Sequence, residues 1–352
     1  MEKIRVGLMF GGRSTEYEVS LSSFSNVYEN IDREKYHITV IGVTRDGQFY
    51  RYTGAAENIR RDTWSADTDN LEKLYLDPSF GGGFMTRAGK IPLDVIFPVM
   101  HGAYCEDGRL QGLLAMCGIP FVGSGVLGSA AAMDKATAKQ LAACRGIPVA
   151  KYLLVRRREL LKDPEAVYEK CEETFGYPVF VKPCNAGSSV GVSKARSREE
   201  LLSALSLAAK HDSRILVEET VTGAEIEVAV MGNSEPAASV CGEINPNCDF
   251  YDYETKYVSD TANFFIPARL SDEVANRVRD YAKTVYTTLG CSGLSRVDFF
   301  VEGEKMVFNE INTLPGFTAI SMYPSLFQHM GMGYGEIIDR LIALALSDDR
   351  II

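Results

Sequence analysis

The chain has 352 residues, of which 46% are hydrophobic and 24% charged, and its formal net charge is −10. That length outgrows one ordinary core and suits two or three packed units, and the apolar content excludes a disordered chain. The acidic balance, with no long run of Lys or Arg to offset it, argues against a nucleic-acid partner, because phosphate backbones require clustered positive charge.

The opening run, Met-Glu-Lys-Ile-Arg-Val-Gly-Leu-Met-Phe, is too short for a secretory apolar segment and lacks a small-residue cleavage site. No stretch of about 18 apolar residues is present to span a membrane. Cysteines stand at 105, 117, 144, 171, 184, 241, 248 and 291, none of them in a CxxC pair. That spacing fits neither zinc nor a disulfide framework, and reduced thiols in a cytoplasmic protein are expected.

Residues 4–10 (IRVGLMF) form an apolar run that stops at Gly11-Gly12, the pattern of a buried strand entering a tight loop. Leu21, Phe24, Val27 and Ile31 fall at helical spacing within 19–31. Strands are expected at 37–43 and 94–102, with 45–90 a polar loop and surface excursion between them. A short helix over 109–117 and a strand-to-glycine passage over 119–125 follow. Strands alternating with helices predict a parallel α/β unit. Its ligand loops, at 11–16, 101–107 and 123–125, would gather at the strand C-termini. Next come a helix over 127–146, a strand at 177–183, a glycine-serine loop at 186–191 and a short strand. Ser197-Arg198-Glu199-Glu200 is a capping box that opens a helix running to 210. Residues 214–221, 225–232 and 237–244 read as strands, 246–265 as a polar aromatic loop and 272–289 as a long helix. Two strands, 294–301 and 305–312, close the pattern.

The last strand pair is the most informative about chemistry. Side chains alternate along a strand, so Arg296 and Asp298 share one face of the first strand, and Glu310 and Asn312 share one face of the second. Brought together, Asp298, Glu310 and Asn312 would form an all-oxygen cluster suited to Mg²⁺. The alternative is an outer face of solvated charges. Facing of the two strands requires an even register sum, which a three-residue loop Glu302-Gly303-Glu304 supplies, whereas a strict two-residue turn would send Asp298 and Glu310 to opposite faces.

Lys182 ends a buried-looking strand just before the loop AGSSVG, whose glycines allow backbone N–H groups to approach phosphates. Neither a Walker A loop nor a dinucleotide fingerprint is present, and the loop alone also reads as a plain turn. Glu16, after Gly11-Gly12-Arg13-Ser14-Thr15, is placed either to hold an ammonium group or simply to start a helix. Ser20 and Ser22 read as helix-start residues. His101 reads equally as a structural hydrogen-bonder and as a substrate contact.

Taken together, the segments GGRSTEYEVSL (11–21), HGAYCEDGRLQG (101–112), GIPFVGSGVLGSAAAMDK (118–135), VFVKPCNAGSSVGVSK (179–194), VEETVTGAEIEVAVMGN (217–233), FYDYETKY (250–257), RVDFF (296–300) and NEINTLPGFTAISMYP (309–324) resemble the D-alanine–D-alanine ligase family. The resemblance runs in order along nearly the whole chain. It implies an α/β (α+β) fold in which an N-terminal Rossmann-like parallel-sheet domain (1–125) precedes a two-part ATP-grasp fold, with a central part at 126–222 and a C-terminal part at 223–352.

The resemblance also implies the site. Lys135 and Lys182 would hold the nucleotide phosphates under Ser188 and Ser189. Glu218, Glu219 and Val221 would face adenine, and Glu225 the ribose. Asp298, Glu310 and Asn312 would bind two magnesium ions, for which manganese can substitute. Glu16 would hold the ammonium of the first D-alanine, with His101 nearby. Arg296 and the Gly316 N–H would face the oxyanion, and Ser321 and Met322 the second subsite. Lys256 and Tyr257 would lie on a closing loop, 246–265. The implied reaction uses ATP to make D-alanyl phosphate, which the amine of a second D-alanine attacks. The implied enzyme is a cytoplasmic homodimer acting on small molecules. Segment 45–75 is closest in style to the resistance-type relatives that add D-serine second, whereas Tyr257 and Ser321-Met322 favour D-alanine. Cys105 departs from the family's usual glycine.

Overall fold

The computed structural model describes residues 2–245 and 263–349. Lys256, Tyr257, Cys248 and most of the expected 246–265 loop therefore lie outside the described residues. Among those described, every cysteine is a free thiol, and no helix is long and apolar enough to cross a membrane.

The N-terminal sheet has the strand order Leu71–Lys73, Phe49–Tyr52, Tyr36–Val43, Ile4–Gly11, Val95–Val99. Ile4–Gly11 pairs in parallel with both neighbours. Period-two alternation divides its side chains. Val6, Leu8 and Phe10 pack with Leu21, Phe24 and Val27 of the helix Tyr17–Asn30, while Met9 joins Ile41, Ile96 and Leu114 on the other side.

Segment 45–90 departs from the expected loop. Phe49–Tyr52 and Leu71–Lys73 extend this sheet antiparallel. Tyr75–Asp77, Gly83–Thr86 and Gly89–Lys90 form a small antiparallel sheet of their own. The segment is anchored by Trp64, which is fully buried and donates its indole N–H to the Tyr17 hydroxyl at 2.9 Å. Residues 119–125 contribute only an isolated bridge, Ile96 to Phe121.

The expected single helix over 127–146 is two helices, Val126–Met133 and Lys135–Cys144. Asp134 breaks the run because its carboxylate accepts the Thr137 N–H at 2.8 Å, which makes it the N-cap of the second helix. Lys135 thus opens a helix, and its backbone N–H reaches Cys184 O at 3.0 Å.

The middle sheet is wholly antiparallel, in the order Ser193–Ala195, Val179–Pro183, Arg214–Glu219, Tyr152–Arg156. Val155, Val179, Val181, Ile215 and Val217 pack on the helices Pro164–Thr174 and Arg198–His211. The C-terminal sheet runs Asn263–Phe265, Ala237–Asn245, Ala224–Gly232, Gly293–Glu302, Lys305–Asn312, again antiparallel. The helix Asp272–Thr288 covers one side of it through Val274, Val278, Ala282 and Val285. Burial of each of these valines stabilises by about 1.5–3 kcal/mol.

Candidate active site

The C-terminal sheet has one apolar and one polar face. Ile226, Val228, Val297, Phe299, Phe308 and Ile311 lie in the core beneath. Opposite them stand Glu225 and Glu227 on one strand, Arg296 and Asp298 on the next, and Glu310 and Asn312 on the last. The register pairs Glu227 with Asp298, Asp298 with Glu310, and Arg296 with Asn312. The turn behind this facing differs from the expected one. Glu302 pairs with Lys305, so the turn has only two residues, Gly303 and Glu304, and Gly303 has φ of +59°. A bulge between Asp298 and Phe299 shifts the register and leaves Asn309 as the extra residue, restoring the even sum and the shared face.

This face carries four carboxylates, and among the described residues the ion pairs to them come from Arg296 and from Lys135 on the neighbouring helix. Arg296 donates to Asp298 at 2.8 and 2.7 Å and lies 3.1 Å from Glu227. Asn312 donates to Asp298 at 3.1 Å. Lys135 pairs with Glu310 at 2.9 Å and donates to Ala186 O at 2.9 Å. Burial opposes the Lys135 charge, but Glu310 outweighs it and raises the pKa. The donor set suits a hard divalent cation: two carboxylates face one another beside an amide, and ligand atoms of Glu225, Glu227 and Asp298 lie within 4.8 Å of one another.

A cavity of about 440 Å³ opens between the middle and C-terminal sheets, lined among others by Lys135, Lys182, Ser189, Glu219, Val221 and Glu225. At its back the Glu218 carboxylate is held by Lys139 at 2.9 Å and Lys182 at 2.7 Å. Burial alone would raise the Glu218 pKa, yet the two lysines hold it down at about 2.

A smaller cavity, of about 100 Å³, adjoins it and is lined by Glu16, His101, Glu106, Arg296, Gly316, Ser321 and Met322, among others. Ser188 and Glu310 line both cavities. The Ser188 hydroxyl donates to Glu16 Oε1, while the other Glu16 oxygen is buried without a hydrogen-bond partner among the described residues. Gly102 and Gly187 crowd that oxygen so closely that a Cβ on either would collide with it. His101 has both ring nitrogens engaged, Nδ1 with Leu314 O at 2.8 Å and Nε2 with the Ser23 hydroxyl at 3.0 Å. Ser23 in turn accepts the Phe317 N–H at 3.1 Å. His101 therefore positions the 314–317 loop, and burial lowers its pKa, keeping it neutral. Ser321 is similarly engaged, its hydroxyl accepting the Thr318 N–H at 2.9 Å.

Both halves of the chain match family models, residues 5–124 the D-ala D-ala ligase N-terminus and residues 141–343 the D-ala D-ala ligase C-terminus. The chain is 49% identical to the D-alanine–D-alanine ligase of Ruminiclostridium cellulolyticum, across 98% of this chain and 96% of that one. The chain belongs to the D-alanine–D-alanine ligase family. Among solved structures of such ligases it superposes on the VanG D-Ala:D-Ser ligase from Enterococcus faecalis with a TM-score of 0.90 and 41% identity, covering 98% of this chain and 100% of that one. The Coxiella burnetii D-alanine-D-alanine ligase gives 0.85 and 32%, covering 99% and 96%. The fold is the ATP-grasp fold of these ligases.

The ligase fold brings together the expected residues that are described. Lys135, Lys182, Ser188, Ser189, Glu218, Glu219, Val221, Glu225 and Glu310 line the larger cavity. Glu16, His101, Arg296, Asn312, Gly316, Ser321 and Met322 line the smaller one, with Asp298 beneath Arg296. Three residues escape sequence reasoning. Lys139 stands one helical turn beyond Lys135, a spacing that could have flagged it. Glu227 lies two residues along the strand from Glu225. Glu106 sits in the quoted HGAYCEDG segment and accepts the Gly102 N–H at 2.8 Å and the Leu314 N–H at 3.1 Å, stitching two site loops together. Cys105 is 1% exposed, and burial pushes its thiol well above the ordinary range, so it offers no thiolate.

Proposed function

We propose that the two joined cavities carry out the family's ATP-dependent ligation of two D-alanines, the larger holding ATP and the smaller both amino acids. The observation that carries this reading is the junction itself: Ser188 and Glu310 line both cavities, so a phosphate in one would meet a carboxylate in the other.

In the first step a carboxylate oxygen of the first D-alanine takes the γ-phosphoryl group, ADP leaves, and D-alanyl phosphate forms. Lys135, Lys182 and the 188–189 loop orient the phosphates. Glu218, Glu219 and Val221 form the segment facing the base, and Glu225 faces the ribose. The unpartnered Glu16 oxygen takes the ammonium of the first D-alanine. In the second step the amine of the second D-alanine, having lost a proton, attacks the acyl carbon. Arg296 and the Gly316 N–H stabilise the oxyanion, and the carbon–oxygen bond to phosphate breaks. Ser321 and Met322 shape the second subsite. Loss of one oxyanion donor typically costs about 10²–10³ in kcat. Asp298, Glu310 and Asn312 would hold Mg²⁺, which when bound offsets charge on the transferred phosphoryl oxygens.

We also infer a division at 1–125, 126–222 and 223–352, supported by each large sheet falling within one part. A cytoplasmic homodimer is proposed from family membership.

The test is D-alanine-dependent phosphate release from ATP and Mg²⁺, with products identified by mass spectrometry and D-serine added in competition. D-Ala-D-Ala as the main product supports the reading. Predominance of a D-Ala-D-Ser product would move the chain to the serine-adding branch, and no D-alanine-dependent release would overturn the substrate assignment.

A further inference from the structure

Two lysines share the Glu218 carboxylate, one on each oxygen, but they differ in what else they can reach. Lys139 is 1% exposed, lies 3.3 Å from Phe308 O and sits behind the carboxylate. Lys182 is 13% exposed at its side chain, has a long contact of 3.4 Å to Asn309 Oδ1, and borders the larger cavity on the strand that leads into the 186–191 loop. Among the described residues, the ion pairs of Lys135, Lys139 and Lys182 are made with Glu218 and Glu310, two of the three lysines sharing Glu218. Of the two lysines on Glu218, Lys182 is the one placed to meet an anion in the cavity.

Meeting it has a consequence. If Lys182 turned to a phosphate and no other cation remained, Glu218 would be a lone buried carboxylate, which takes up a proton rather than stay charged. We propose that Lys139 is the standing counter-ion of Glu218, a positioning residue that lets Lys182 leave that carboxylate for the phosphates of an incoming nucleotide. The inference rests on the nucleotide reading of the larger cavity.

The electrostatics support this division of labour. The titratable groups facing Glu218 are Lys139 and Lys182 and, farther off, Lys135 and Tyr152. Burial, joined by repulsion from Lys182, lowers the Lys139 pKa more than Glu218 restores it. Glu218 has two cations, and for it attraction wins.

The test titrates the full-length protein with a non-hydrolysable ATP analogue and Mg²⁺ by calorimetry, at about pH 7.5 in buffers of different ionisation heat, which reads proton uptake directly. The parent and Lys139→Arg should bind alike. Lys139→Met should bind at least about tenfold more weakly. It should take up about one more proton per nucleotide than the parent, with affinity recovering as the pH falls. Parent-like affinity and proton uptake in Lys139→Met would overturn the proposal. If Lys139→Met does not fold, Lys139→Met/Glu218→Gln is compared with Glu218→Gln: equal affinity supports the proposal, and weaker binding by the double variant overturns it. Failure of the parent itself to bind the analogue would instead remove the nucleotide reading.

Discussion

Asp298 lies directly across from Glu310 although the turn joining their strands has only two residues, because Asn309 is bulged between them. Each carboxylate keeps its own cation, Arg296 for Asp298 and Lys135 for Glu310. Glu310→Gln should keep the fold and lower kcat by at least about 10³-fold, through loss of the proposed metal ligand and of Lys135's partner. Circular dichroism alongside a phosphate-release assay checks this. Full turnover by a folded variant would remove Glu310 from the site.

Gly187 leaves room for the unpartnered Glu16 oxygen. Gly187→Ala should push a methyl group against it and raise the KM for the first D-alanine about tenfold or more, a larger rise than in the KM for ATP. Equal increases in both constants would point to a collapsed loop rather than a blocked subsite.

Glu106 gives a pH signature. Burial, then the charge of Glu16, push its carboxyl up to about 8, against two backbone N–H groups that favour the anion. In the unfolded chain a glutamate titrates near about 4.3. The folded state thus holds this proton more tightly. The stability it contributes is full below about 4.3 and is lost as pH rises through about 8. Thermal melts across that window should show Tm falling. Glu106→Gln, with no proton to release, should flatten the slope while lowering Tm at the acid end, where it loses an acceptor. A slope identical to the parent's would exclude Glu106 as its source.

Arg296 is gripped from two strands, by Asp298 on its own and by Glu227 on the neighbour. Glu227→Gln should loosen one grip and lower kcat by about 10–100-fold with little change in the KM for ATP, since Arg296 is proposed to act on the oxyanion. Steady-state kinetics with each substrate varied in turn separate this from a nucleotide defect.

Much of the site was legible because strand alternation is a local property. Val297, Phe299 and Ile311 interleave with Arg296, Asp298, Glu310 and Asn312, so the polar face could be read in residue order. The turn could not, since a three-residue loop and a two-residue turn with a bulge give the same facing. Phe49–Tyr52 and Leu71–Lys73 were missed because FYRY and LEK are short, mixed segments that become strands only against the sheet they extend. The break at Asp134 hides in a run of good helix formers, where one capping carboxylate decides the geometry. Lys139 has the right spacing, but its partner Glu218 is distant in sequence, and no local pattern announces a buried ion pair. His101 offered two readings, and the hydrogen bonds at both ring nitrogens support the loop-holding one, while the ring also lines the smaller cavity.

The two-faced last strand also behaves like a reading frame. Glu310 and Asn312 reach the cavities, and Ile311 between them reaches the core. One residue inserted between Glu310 and Asn312, unless a second bulge absorbed it, would send one of them into hydrocarbon and lift an apolar neighbour into the site. Segment 45–90 carries a phase of its own at Phe49–Tyr52, where Tyr50 and Tyr52 pack toward one core and Phe49 toward the other. The bulge at Asn309 already absorbs one odd residue in the final strand, so the facing of Asp298 and Glu310 depends on the count of residues between them as much as on their identity.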